Sequence, residues 1–182
     1  AEQYADALLV QEAILSMMRR LGAPEEHILV VQGNLAHTYQ LLGRREEALR
    51  LREDVYSGSL KLKGEEHRDT LREASNYANN LLELQKFEEA RSLMRKTIPV
   101  ARRVLGDDHD LTLRMQWNYA RALFFNPDAT LDDLREAVTT LAEITRTARR
   151  VMGGTHPLTV GIEGALREAW ALLRAHETPP AG

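Results

Sequence analysis

Asn34-Leu35-Ala36, Asn76-Tyr77-Ala78 and Asn118-Tyr119-Ala120 are three copies of one short pattern, each 42 residues from the next. Gly22, Gly64 and Gly106 repeat at the same distance, and so do Ala48 and Ala90. Gly153 and Ala137 follow Gly106 and Ala90 at 47 residues, so five residues are inserted between Ala120 and Ala137. The loop-like stretch Asn126-Pro127-Asp128-Ala129-Thr130 is their expected home. Independent registers sharing one period of roughly 20–50 residues mark a stacked repeat architecture.

Each period reads as two helices. In residues 69–84, Leu71, Tyr77, Ala78, Leu81 and Leu84 recur at helical spacing. A break at Gln85-Lys86 precedes a second helix from about Phe87 to Leu105, closed by Gly106, a natural residue just past a helix end. The other copies break at Leu42-Gly43-Arg44 and at the insertion. There Thr130, with Asp132 and Asp133 behind it, has the pattern of an N-cap with acids in the first turn. Pro157 stands where a missing N–H costs nothing, at the start of the last helix. Ala36, Ala78 and Ala120 on first helices, and Ala48, Ala90 and Ala137 on second helices, fit positions of close helix approach. A hairpin of this size cannot bury its apolar face alone, so neighbours must complete the core. The expected fold class is all-α: a right-handed α-solenoid of antiparallel helix pairs, about three full repeats plus flanking helices.

Composition agrees with helices. The 182 residues are 43% hydrophobic and 28% charged, and period-two runs of β-branched residues are missing. Lys and Arg (24) nearly balance Asp and Glu (27), which argues against a dedicated nucleic-acid binder. No run of about 18 apolar residues exists, and the first residues have no basic segment leading an apolar one, so neither a membrane span nor a signal peptide is expected. With no cysteine, disulfides and thiolate catalysis are excluded, and the chain suits a reducing, cytoplasmic setting.

These residues resemble the 42-residue tetratricopeptide repeat (TPR) of kinesin light chains and their relatives. The resemblance rests on Asn34-Leu35-Ala36, Tyr39, Gly43-Arg44 and Glu46-Glu47-Ala48, then Leu62-Lys63-Gly64-Glu65-Glu66-His67. It continues through Phe87-Glu88-Glu89-Ala90 and Leu105-Gly106-Asp107-Asp108-His109 to Met152-Gly153-Gly154-Thr155-His156-Pro157. It covers roughly residues 3–176. The expected layout is a single array over 1–177: a lone second helix at 3–21, repeats at 26–62, 67–105 and 109–152 with the insertion near 126–130, and a capping helix at 157–176. Residues 178–182 are expected to form a flexible tail. The lone second helix suggests a piece of a longer array. Arg167 and Ala165, in place of the repeated Ala and Asn, suit a terminal helix facing water.

On each first helix, residues at −4, 0 and +3 from the Asn share a face. The stripes are Val30, Asn34 and His37; Arg72, Asn76 and Asn79; Arg114, Asn118 and Arg121. The resemblance implies that this face lines a concave groove, with the Asn amides holding the backbone of an extended peptide. An amide carries both a donor and an acceptor, so it can clamp a peptide bond whatever the side chain. The competing reading is that each Asn bonds within the solenoid. His37, Arg72, Arg114 and Arg121 outnumber Glu83 around the row, which favours an acidic ligand. Trp117, Phe124 and Phe125 are candidate apolar pockets, equally readable as core; of two adjacent Phe, one must sit at an edge.

His27, His67, His109 and His156 recur once per repeat, too far apart for one metal, and are expected to bond backbone at helix starts. Asp107-Asp108-His109-Asp110 lacks calcium-loop spacing, and Gly153-Gly154-Thr155 lacks the Lys of a phosphate loop. No catalytic constellation stands out, and no cofactor or metal is expected. Pro99 and Gly58 fall inside second helices, as a kink and a weak point matched to curvature or to a hinge. The reading is a non-enzymatic scaffold for a protein or extended peptide, with no nucleic acid and no membrane. A structural or self-associating module is the alternative.

Overall fold

The computed structural model describes residues 2–177, so the expected tail at 178–182 lies outside the described residues. The described residues form eight helices and no strand. They are α1 (Glu2–Arg20), α2 (Glu25–Leu41), α3 (Arg45–Lys63), α4 (Arg68–Glu83), α5 (Phe87–Leu105), α6 (Asp110–Phe124), α7 (Leu131–Met152) and α8 (Pro157–Glu177). The architecture is an all-α helix-pair repeat. The chain divides into two compact units, α1–α4 up to Leu84 and α5–α8 from Gln85.

In the first unit, α2 packs on α1 and α3, and α3 on α4. Leu8 and Leu15 of α1 enter a core with Ile28, Leu35, Tyr39 and Ala48. Polar ties reinforce that contact: Thr38 Oγ1 donates to Gln11 at 2.8 Å and the Tyr39 hydroxyl to Glu12 at 2.5 Å. In the second unit α6 packs on α5, α7 and α8, and α7 on α8. Ala36, Ala48, Ala78, Ala90, Ala120 and Ala137 are all fully buried, as close helix approach requires.

The helix ends follow from local chemistry. Gly64, Gly106 and Gly153 close α3, α5 and α7 with φ of 83°, 95° and 85°, a region only glycine enters without strain. Gln85 stands 42 residues after Gly43, where φ is 75°, and is itself forced to φ 58°. Nδ1 of His67, His109 and His156 accepts the N–H of Asp69, Leu111 and Leu158, satisfying an orphan donor of the first turn. His27 departs from that expectation. It is two residues out of register and lies inside the first turn of α2, which begins after Pro24.

Thr130 caps α7 as expected, in a reciprocal box with Asp133. The five inserted residues do not all sit in the loop. The 125–130 connection is longer than the 84–86 connection, and α7 runs 22 residues against 19 for α3 and α5. Helix α5 continues through Pro99, whose ring faces solvent. Gly58 has a packing reason rather than a hinge role: a Cβ there would lie 2.6 Å from a Leu29 methyl of α2.

Candidate functional site

In the first unit a cleft of about 340 Å³ opens between α2 and α4, with α3 as its floor. It brings together four of the sequence-predicted residues, Asn34, His37, Arg72 and Asn76. Asn34 and His37 are exposed and Asn76 is half-buried. The fifth predicted residue of this unit, Asn79, donates to Glu83 at 3.0 Å, and Gln40 of α2 donates to the same oxygen at 2.5 Å.

The floor of the cleft carries a feature the sequence reading missed. Arg52 of α3 is only 8% exposed and pairs with Glu73 of α4 at 3.2 Å. The Glu73 carboxylate also accepts from Arg72 Nε at 3.1 Å and from Asn76 Nδ2 at 3.2 Å. Arg72 reaches Asp69 at 2.8 Å, Asp69 takes Lys63 at 2.8 Å, and Lys63 takes Glu26 at 2.7 Å. Charges of alternating sign thus run along the wall, and Glu26, Asp69 and Glu73 offset Arg52, Lys63 and Arg72. The ammonium of Lys63 holds the Asp69 carboxyl below its ordinary range, and Asp69 in turn raises Lys63. Burial pulls the Arg52 guanidinium down, against the opposing pull of Glu73. The buried Arg52 Nε has no hydrogen-bond partner among the described residues. The one sequence signal for this floor was an Arg on a helix face whose other positions, Ala48 and Val55, are buried.

Why the cleft is open follows from comparing registers. Gly33 lines it, and 84 residues on the same register holds Trp117. In the second unit, Trp117 of α6 lies over Gly161 of α8: a Cβ at Gly161 would meet the indole at 2.7 Å. Gly161 in turn shares the register of Arg72, given the 42- and 47-residue spacings. Small and large residues have therefore traded places. Where α6 and α8 are filled by an indole, α2 and α4 leave a space walled by Leu29, Val30 and Val55.

The remaining predicted residues lie on α6. Arg114 is exposed, Trp117 and Arg121 are half-buried, and Asn118 is only 3% exposed and already engaged. The Arg121 guanidinium lies 5.6 Å from the Trp117 ring centre and 6.0 Å from that of Phe125. Phe124 is buried and Phe125 exposed, which resolves the adjacent pair as expected. The three repeated Asn are thus exposed, half-buried and buried in chain order. Among the described residues no cluster of three or more His, Cys, Asp or Glu could hold a metal, and no helix is long and apolar enough to cross a membrane.

Comparison with known proteins gives the same architecture. Two tetratricopeptide repeat models match residues 29–69 and 69–126, which together make up more than half of the chain. A Podosopora anserina protein described as a kinesin light chain with nearly identical TPR-like repeats superposes with a TM-score of 0.77 at 22% identity. That match covers 97% of this chain and 82% of that one, and a variant of the same protein gives 0.79, 22%, 97% and 81%. BtubC (BKLC) from P. vanneervenii superposes with a TM-score of 0.70 at 17% identity, over 99% of this chain and 77% of that one. At such identities the likeness is one of fold. No curated protein matches the sequence. With its paired helices, its 42-residue registers and the model matches across both units, the chain belongs to the tetratricopeptide repeat family, whose members generally act as non-enzymatic protein- and peptide-binding scaffolds.

Proposed function

We propose that the chain binds an extended peptide, or an extended segment of a partner protein, in the α2/α4 cleft of its first unit. The observation that carries this reading is the cleft itself. It is preformed, it combines an apolar patch of Leu29, Val30 and Val55 with a largely polar lining, and Asn34, Asn76, His37 and Arg72 are among its lining residues. Such concave sites with a few convergent polar groups are the usual seats of ligands. Asn34 is the amide best placed to pair with a peptide bond without giving up an internal partner; Asn76 would trade its bond to Glu73. Asn118, buried and engaged, fits the scaffold role, so the clamp reading rests on the first two amides.

A preference for acidic peptides is part of the proposal. In the first unit it draws on Arg72, which an incoming carboxylate would have to win from Asp69 and Glu73; in the second unit Arg114 and Arg121 of α6 would offer the same charge on their own. Rim charges of this kind affect association rate and selectivity more than affinity. A cytoplasmic setting, suggested by the lack of cysteine, belongs to the same reading.

The test is enrichment from a random extended-peptide display library, with Asn34→Ala/Asn76→Ala alongside. Enriched acidic peptides that bind the double variant at least tenfold more weakly support the clamp. Peptides that bind both forms equally would remove the amides from the site, and no enrichment with a folded chain would refute peptide binding.

A further inference from the structure

The floor of the α2/α4 cleft breaks the pattern of the array. Counting 42 residues on from Arg52 and Glu73 gives Met94 and Met115, and a further 47 gives Leu141 and Ile162. All four of these apolar side chains are fully buried. In the first unit the same registers hold a buried ion pair instead. Stability gives no reason for the exchange, since replacing a buried ion pair by apolar residues is often neutral or stabilising. The pair lies where a ligand can use it, because both residues line the cleft.

The pair leaves donors and one acceptor unspent. Arg52, only 8% exposed, makes a single hydrogen bond among the described residues, from Nη1 to Glu73 Oε2 at 3.2 Å. Its Nε makes none there, so most of the guanidinium's donor capacity is unused. Glu73 is the opposite case. Its two oxygens already take Arg52, Arg72 and Asn76. A carboxylate only accepts, so Asn76 must turn Nδ2 toward it, at 3.2 Å. That fixes Oδ1 as the free end of the amide, an acceptor without a partner among the described residues. Arg52 and Asn76 bond the same oxygen of Glu73, so the spare donors of one lie beside the spare acceptor of the other.

We propose that the cleft takes the side-chain carboxamide of a glutamine in the bound segment, its oxygen on Arg52 and its amide N–H on Asn76 Oδ1. The inference rests on the cleft being the peptide seat and adds which side chain enters it. A primary carboxamide carries C=O and N–H on one edge, whereas a trans peptide group points them opposite ways. A carboxylate has no proton for Asn76 Oδ1 and meets the charge of Glu73, and an ammonium meets Arg52. No net charge in the lining favours either, since Glu26, Asp69 and Glu73 offset Arg52, Lys63 and Arg72. A methionine has the length but leaves both polar groups unpaired, the loss that makes polar pockets selective. Leu29 and Val55 give the glutamine methylenes an apolar wall, which favours it over the shorter asparagine.

The experiment pans the random extended-peptide library against the 182-residue chain and against Arg52→Met/Glu73→Met, which installs the residues found 42 positions on. A second variant, Asn76→Ala, removes the acceptor alone and installs the residue that α8 carries in this register, Ala165. Far-UV circular dichroism checks that each stays helical. In the parent pool glutamine should exceed glutamate and methionine at least tenfold at one peptide position. The double variant should pass that preference to methionine or leucine, and Asn76→Ala should bring glutamine and methionine within about threefold. A parent pool without a glutamine position overturns the proposal, and so does a glutamine preference that survives in either variant; peptide binding itself stands in both cases. If the folded parent enriches no peptide, N-acetyl-glutamine methylamide decides the pocket by itself. A saturable shift of the Arg52 Nε–H NMR signal below about 200 mM, absent with the glutamate counterpart, keeps the carboxamide site while peptide binding falls. No such shift overturns both.

Discussion

Two helical glycines test whether exchange of a small and a large residue opens one cleft and fills another. Gly33→Ala places a methyl in the open cleft, with Arg52 Nη1 the nearest atom at an ordinary 3.7 Å. Nothing opposes the helix-forming advantage of alanine, so this variant should gain about 1 kcal/mol. Gly161→Ala makes the same chemical change on α8. Its methyl would lie 2.7, 3.1 and 3.4 Å from three atoms of the Trp117 indole. A rigid ring cannot yield by turning one bond, and overpacking of this kind costs about 1–3 kcal/mol. Less the same propensity gain, Gly161→Ala should be neutral to about 2 kcal/mol destabilising, which leaves the two variants about 1–3 kcal/mol apart. Urea unfolding followed by circular dichroism measures both midpoints, with slopes unchanged if only stability has moved. Trp117→Leu should recover most of the Gly161→Ala penalty in a double-mutant cycle, since the two residues share one contact. Equal gains from both glycine substitutions would refute the account of why the cleft is open.

Gln85→Gly should stabilise the chain by about 0.5–1 kcal/mol in the same urea assay, because a left-handed residue with a Cβ costs roughly 1–2 kcal/mol and glycine returns only part of that as chain entropy. Glu73→Ala should destabilise by about 3–5 kcal/mol by leaving Arg52 buried without its counter-ion, and Glu73→Gln by less, since an amide oxygen still accepts. Thr130→Ala should cost about 1 kcal/mol through loss of the cap, and it should also change the acid limb of stability. The Thr130 hydroxyl holds the Asp133 carboxyl below its ordinary range, so this aspartate stabilises the fold fully above about pH 4, where it is ionised in both states, and progressively less as pH falls toward its folded value. Urea midpoints between pH 6 and 2 should therefore fall less steeply in Thr130→Ala than in the parent.

Periodicity carried the fold because every copy must solve the same local problem. The glycine at each second-helix end, the alanines at close approach and the Thr130 cap are each fixed by their own neighbours, so they can be read one register at a time. The candidate site is different, because it depends on where the copies disagree. Gly33 against Trp117 and Arg72 against Gly161 have meaning only once two non-adjacent helices are known to face each other. The Arg52–Glu73 pair joins α3 to α4 across 21 residues, a distance no single-helix pattern displays. The exposure of the Asn row shows the same limit: one register, three environments, because each flank is packed by different residues. His27 shares the once-per-repeat recurrence of the capping histidines but not their register, since it stands 40 rather than 42 residues before His67.

The contact between α6 and α8 has a consequence in time. Nearly all other helix contacts join neighbours along the chain, an arrangement that lets segments open one by one and close quickly. The indole of Trp117 ties two helices that α7 separates in sequence, so α8 cannot detach without breaking two surfaces, whereas among the described residues α1 packs mainly on α2. Backbone amides of α1 should therefore exchange with deuterium first, and those of α8, although at the other terminus, should outlast them.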